Sequence, residues 1–392
     1  MRARSTLKWP ITGALMLAVG GAGPHAAAQA PQNTASILPA AQNSATAATS
    51  QHSANPFAKF TPTTDPILHR IDYEFWDFAL KNFVVSMGPS TRETARPPTA
   101  PLGTRVRQGH NSRYRLEGSM LGFSFLDAEA IAGFTEYRLD LQSIGDTLDI
   151  SSLPRNEQLA FWINLHNVAL VEKIALDWPV RQPREIEIDG APIDDAAFIT
   201  VSGVTMSLRD IRERIVFANW RNPKVIYGFW RGEIGGPALE REAYTGDNVN
   251  SLLDQAADDF INSLRGTQKR GDRLDVSTLY ADTAAFYFPD FENDVRAHIA
   301  DYANEDVTEI LTKTGVVRAS IREWDIADLS GGSRGSILQS SRPGLTNGVL
   351  QLLAQRQRKF EILRQRGDDR RGQVFFSNIR LPGDPPNANA VE

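Results

Sequence analysis

The 392-residue chain contains no cysteine. That single absence excludes disulfides, thiolate metal ligands and a thiol nucleophile together, and with them a lipoprotein anchor. Histidine is scarce, at six residues: His25, His52, His69, His110, His166 and His298. His69, His110 and His298 have no Asp, Glu or His at metal-ligand spacing, so neither a metal nor a cofactor is expected. Positive charge is in deficit, with 42 Lys and Arg against 47 Asp and Glu; a nucleic-acid partner would call for a basic face. Ser330-Gly-Gly-Ser-Arg-Gly-Ser336 reads as loop, and there is no supported S-x-x-K motif and no internal repeat. No stretch beyond the N-terminus reads as a membrane span, so no transmembrane segment is expected in the mature protein.

What is present begins with an export signal. Arg2, Arg4 and Lys8 precede an apolar run from Ile11 to Gly20, and His25–Ala30 is rich in small residues, so residues 1–28 read as a Sec-type signal peptide cleaved after Ala28. Its removal takes the formal net charge from −5 to −8, and the mature protein is expected in the periplasm or secreted. Residues 29–64, rich in Ala, Gln, Ser, Thr and Pro, read as a disordered linker.

The most informative stretch is Asn156–Pro179, NEQLAFWINLHNVALVEKIALDWP. A helix apolar nearly all round is a buried one, and Pro179 ends it. Asn164 and Asn167, three apart, share a face; unpartnered buried amides would be costly, so they are expected to tie a loop to the helix. Around it, Asp65–Met87 has helical spacing, residues 89–112 read as a solvated Arg-rich loop, and one or two helices lie between Tyr114 and Ile144. Arg184–Ile188 and Phe198–Val201 read as short strands and Ser207 as a helix cap. Lys224–Trp230 (KVIYGFW) reads as a strand, leading into a glycine-rich corner, Arg231–Gly236. Asp247–Leu264 reads as an amphipathic helix, Phe291–Tyr302 and Val307–Leu311 as further helices, and Leu274–Leu279 and Val317–Ile321 as strands. The expected fold is α+β: one helix-rich large domain over residues 65–330, with a small antiparallel or mixed sheet and a buried central helix at 156–178. Residues 331–392 read as a C-terminal helix with a solvated basic face, followed by a disordered tail.

Several segments resemble a known family. LAFWINLHNVALVEKIALDWPV looks like the AFWINxYNAL signature of the bacterial domain of unknown function 547 family. Ser207-Leu-Arg-Asp-Ile211, Asn222–Ile226, Gly236–Tyr244, Phe286–Phe291 and Glu323-Trp-Asp325 follow the family's later elements in order, over residues 115–330. The resemblance implies comparison with cysteine-peptidase-like hydrolases, which need a thiolate beside an imidazole. Set against the family's PRIHFALNCASxSCPPL, Pro223–Leu239 places Ile226 at the His, Arg231 at the first Cys and Gly236 at the second. The family's Glu-His pair falls on Arg212 and Glu213. Thiol chemistry is therefore not available to this chain.

These readings converge on a non-catalytic binding or scaffolding protein whose thiol site has degenerated. The candidate cleft residues are Asn164, Asn167, Trp230, Arg231 and Glu233, and the expected ligand is a peptide, cell-envelope material or another protein. The alternative is a non-thiol hydrolase acting on peptide or cell-envelope material, with Glu233 as general base and the two Asn amides as orienting groups. It requires Arg231, Glu233 and both amides in one pocket, whereas a degenerate scaffold fills that space with Phe229 and Trp230. A third class, a structural partner docking through the basic C-terminal helix, predicts that deleting 340–392 abolishes association without unfolding the core.

Overall fold

In the computed structural model the described residues are 55–96, 109–333 and 346–367. The signal at 1–28, the linker as far as 54, Arg105, Arg107, and the tail from 368 with Arg370 and Arg371 lie outside them. The fold is α+β, as expected: helices surround a few short hairpins and one three-stranded sheet.

The central helix runs Arg155–Asp177 and is buried on every side for most of its length. By length and composition it also qualifies as a membrane span, contrary to expectation, yet 89% of its most apolar window is buried inside the protein. Such a helix must satisfy its polar side chains internally, because a buried group without a partner costs about 1–3 kcal/mol. Each one is used. Glu157 accepts the backbone N–H groups of Ile71 (3.0 Å) and Gly246 (3.1 Å). Asn164 brackets Tyr244, donating to its carbonyl (2.7 Å) and accepting its N–H (3.2 Å). Asn167 donates to the Gly228 carbonyl (2.9 Å) and accepts from the Trp230 N–H (3.1 Å). Glu172 forms a buried two-point pair with Arg138 (2.6 and 3.2 Å) on the antiparallel neighbour helix Ala128–Thr147.

Hydrophobic pattern located most elements. The helices Val249–Ile261, Phe291–Ala300 and Glu305–Thr312 and the strands Arg273–Ser277 and Val317–Ile321 lie where expected. Those two strands pair in parallel, and Thr267–Arg270 adds an antiparallel edge, making the sheet mixed. Ser207 closes a capping box with Asp210.

Five expectations are corrected by tertiary packing. The helix expected from Asp65 begins at Glu74 and ends at Phe83; β-branched Val84 and Val85 instead pair with Leu121 and Met120, and Leu68 is 94% exposed. The linker assignment extends too far, because Phe57 and Phe60 are buried and Phe60 packs edge-on against Trp162 (4.9 Å). KVIYGFW is not a strand: Pro223–Gly228 is a 3₁₀ turn capped by Asn222, pressed so closely on the central helix that a Cβ on Gly228 would lie 2.8 Å from Ile163 Cδ1. β-branched content marked these residues as buried, and no neighbouring strand was available to pair with them. Arg92 is not solvated; its guanidinium donates to the carbonyls of Asn262 (2.9 Å) and Thr267 (2.8 Å). The C-terminal helix Asn347–Arg366 turns part of its basic run inward, while Arg358, Arg364 and Arg366 stay exposed as expected. Lys359 is buried, donating to the Leu116 (2.5 Å) and Gly88 (3.3 Å) carbonyls, and Arg356 donates to the Ser86 carbonyl (2.6 Å).

Replacing Asn164 with Ala should strand both polar groups of Tyr244 in the core and reduce stability by roughly 2–4 kcal/mol. Leu68→Ala, at an exposed position, should change it by less than about 0.5 kcal/mol. Urea unfolding of the two variants measures the contrast.

Candidate functional site

The corner after Trp230 is fixed from two sides. Gly232 adopts a left-handed φ of +79° and sits where a Cβ would meet Ile174 of the central helix at 2.7 Å and Pro183 at 2.8 Å. On the other side the segment 323–327 holds it: Ile234 and Gly235 donate to the carbonyls of Asp325 and Glu323 (both 2.9 Å), and Ala327 donates to Gly232 (2.9 Å). With both glycines packed, the intervening side chains of Arg231 and Glu233 point away from the core, into a cavity of about 590 Å³.

The opposite wall comes from a π-helical turn, Ile211–Val216, where the Phe217 N–H bonds to the Arg212 carbonyl. Such one-turn widenings are frequent at functional sites. Arg212 is buried and held by both oxygens of Asp194 (2.7 Å each). Neighbouring Arg209 ties Asp195 (2.5 Å) and lies 3.7 Å from Glu213. Across the cavity Arg231 pairs with Asp282 (2.9 Å) and Glu233 with Arg184 (3.1 Å). Arg184 stacks over Trp324 (3.9 Å), which stands half out of the surface beside Arg322.

Arg231 and Glu233 therefore line the cavity. Asn164, Asn167 and Trp230 do not: they are buried behind it, with Phe229. A hydrogen-bonded chain links the two sets. Arg212 donates to His166 Nε2 (3.0 Å), and His166 Nδ1 lies 3.0 Å from Asn167 Oδ1, which also receives the Trp230 N–H. An arginine can only donate, so Nε2 must be the acceptor and the proton sits on Nδ1. His166 packs edge-on to Phe229 (5.0 Å) as well as carrying these two hydrogen bonds.

Electrostatics follow from burial. Desolvation, reinforced by the Arg212 charge, lowers the His166 pKa to about 3. Burial pushes the Asp194 carboxyl up, but Arg212, Arg231 and Arg209 outweigh it and hold the group well below the usual carboxylate range. Glu233 moves the other way: burial raises it, and Arg184 and Arg231 offset only part of the rise. Among the described residues no cluster of His, Asp and Glu is arranged to hold a metal.

Residues 150–261 match the family model described as a protein of unknown function, DUF547. The DUF547 match spans the central helix, the π turn and the corner, and so includes Asp194, Arg212, Arg231 and Glu233. It stops before Thr278, Asp282, Arg322 and Trp324, which complete the cavity from later in the chain. No curated protein and no solved structure matches the chain. Sequence reading missed the cavity roles of Asp194, Asp282 and Arg322, since no local motif marks residues that meet only after folding.

The buried neutral His166 has a consequence for acid stability. Its folded pKa lies below the ordinary value of about 6.5, so between the two the unfolded chain takes up a proton that the folded chain refuses. Stability is full above about pH 6.5 and falls as pH drops toward 3. His298, lowered to about 4 by burial, acts in the same direction. His166→Gln should remove roughly 2 kcal/mol of the stability difference between pH 7 and pH 5, leaving the parts of His298 and of His110, which burial also lowers. Urea unfolding at the two pH values tests this; an unaltered difference would show that His166 is not held neutral.

Proposed function

We propose that this is an exported, periplasmic or secreted, non-catalytic binding protein, and that a polar ligand occupies the cavity at the 231–236 corner. The observation that carries the reading is the coexistence of an open, charge-lined cavity with two central-helix amides already committed to other partners. Asn164 and Asn167 have their polar atoms bonded to Tyr244, Gly228 and Trp230, and Phe229 and Trp230 fill the space behind. The register with the family's thiol segment supports it further. Arg231 and the Arg212–Glu213 pair, which stand at the first Cys and the Glu-His positions, face one cavity. A site shaped for chemistry would survive there as a site for binding. The volume lies within the range of small-ligand pockets, about 300–1,000 Å³.

The alternative, a non-thiol hydrolase with Glu233 as general base, has the raised Glu233 pKa in its favour. Against it stand the ion pair with Arg184 and the two amides that cannot turn toward a substrate.

A thermal-shift screen with short peptides, muropeptides and sugars distinguishes the two. A ligand at about 100 times its Kd stabilises the protein by about 2.7 kcal/mol. The expected result is a rise in Tm that an Arg231→Ala/Glu233→Ala variant, itself folded, loses, with no ligand consumed. Turnover of a panel member that Glu233→Gln abolishes would establish the hydrolase instead.

A further inference from the structure

The charges around the cavity specify more than polarity. Five arginines and five carboxylates line it. Each carboxylate is in an ion pair with one of those arginines. Arg322 alone among the five arginines has no carboxylate partner among the described residues; its contact is with the Trp324 ring. The pairs are not equally committed. Arg212–Asp194 is bidentate, its guanidinium buried and bonded to His166, and forms a fixed wall. Arg231–Asp282 is a single contact whose carboxylate is half exposed. Arg231 Nε is buried without a hydrogen-bond partner, and Arg322 is exposed at the mouth.

Resting on the binding reading above, we infer that the ligand carries a carboxylate and an ammonium together: a short peptide with free termini. A simple anion drawn to Arg231 would be placed beside Asp282 and Glu233, and a simple cation drawn to Asp282 would be placed beside Arg231. Like charges brought together in a partly desolvated site are strongly disfavoured. A zwitterion avoids both penalties. Its carboxylate takes the exposed guanidinium of Arg322 and the Arg231 N–H that Asp282 gives up, and its ammonium takes Asp282 beside Glu233. The Arg231–Asp282 pair is exchanged for pairs with the ligand, and Glu233 keeps Arg184. Trp324, at the rim beside Arg322 and Arg184, supplies an aromatic surface for the residue between the two charges.

Calorimetric titration of the full-length protein with trialanine, N-acetyl-trialanine and trialanine amide tests the inference. Trialanine should bind at least about tenfold more tightly than either capped form, a difference of about 1.4 kcal/mol. Asp282→Asn should erase the preference for the free amine, and Arg322→Gln the preference for the free carboxylate. Both side chains are exposed, so the fold should tolerate the changes. Equal affinity for free and capped peptides, or no trialanine binding, overturns the inference. So does trialanine binding that neither substitution alters. The binding reading fails separately, if no ligand of any class is lost in the Arg231→Ala/Glu233→Ala variant.

Discussion

A charged or amide side chain on a helix enclosed on all sides is costly without a partner, and much of this molecule follows from how the Arg155–Asp177 helix supplies partners to Glu157, Asn164, Asn167 and Glu172. Its apolar residues supply the burial that drives folding. Its polar residues decide what packs where. Glu157 secures the chain near Ile71 and the turn at Gly246, Asn164 the strand-like stretch at Tyr244, Asn167 the approach to the corner, and Glu172 the neighbouring helix through Arg138. Apolar contacts alone are tolerant of sliding, whereas two-sided hydrogen bonds to a single peptide group are not. The helix thus sets the registry of several loops that have no regular structure of their own.

The cavity inherits its rigidity from that arrangement. Asn167 positions Trp230, the packed Gly232 and Gly235 hold the turn, and Arg231 and Glu233 are left pointing outward. His166 continues the same chain of bonds to Arg212, so the far wall is tied to the central helix as well. Low dielectric strengthens each link and makes neutral histidine the stable form. The result is a fixed inner wall built on a bidentate ion pair and an outer mouth where Arg231–Asp282 is a single, half-exposed contact. Binding proteins need this division between a rigid frame and contacts that can exchange.

The C-terminal helix shows how misleading composition can be. Its run of Arg and Lys suggested a solvated or partner-facing surface, yet Lys359 and Arg356 cap carbonyls of the Ser86–Gly88 turn and Leu116, and Phe360 packs on Gly88. Long basic side chains can bury their stems and still reach an acceptor. Burial lowers the Lys359 pKa to about 8, the expected direction for an ammonium whose partners are neutral carbonyls.

Sequence by itself determined the central helix, the helix cap at Ser207, the amphipathic helices and the absence of thiol chemistry, because periodicity, caps and composition are local properties. It also placed Asn164 and Asn167 as brackets, since a buried amide has few other fates. It located the corner that lines the cavity. Only tertiary structure decided that KVIYGFW would turn rather than extend, because its hydrophobic residues are buried by the central helix and not by a partner strand. Only tertiary structure brought Asp194, Asp282 and Arg322 to Arg231 and Glu233. Charges far apart in sequence acquire meaning from the distances between them, and those distances exist only once the chain has folded.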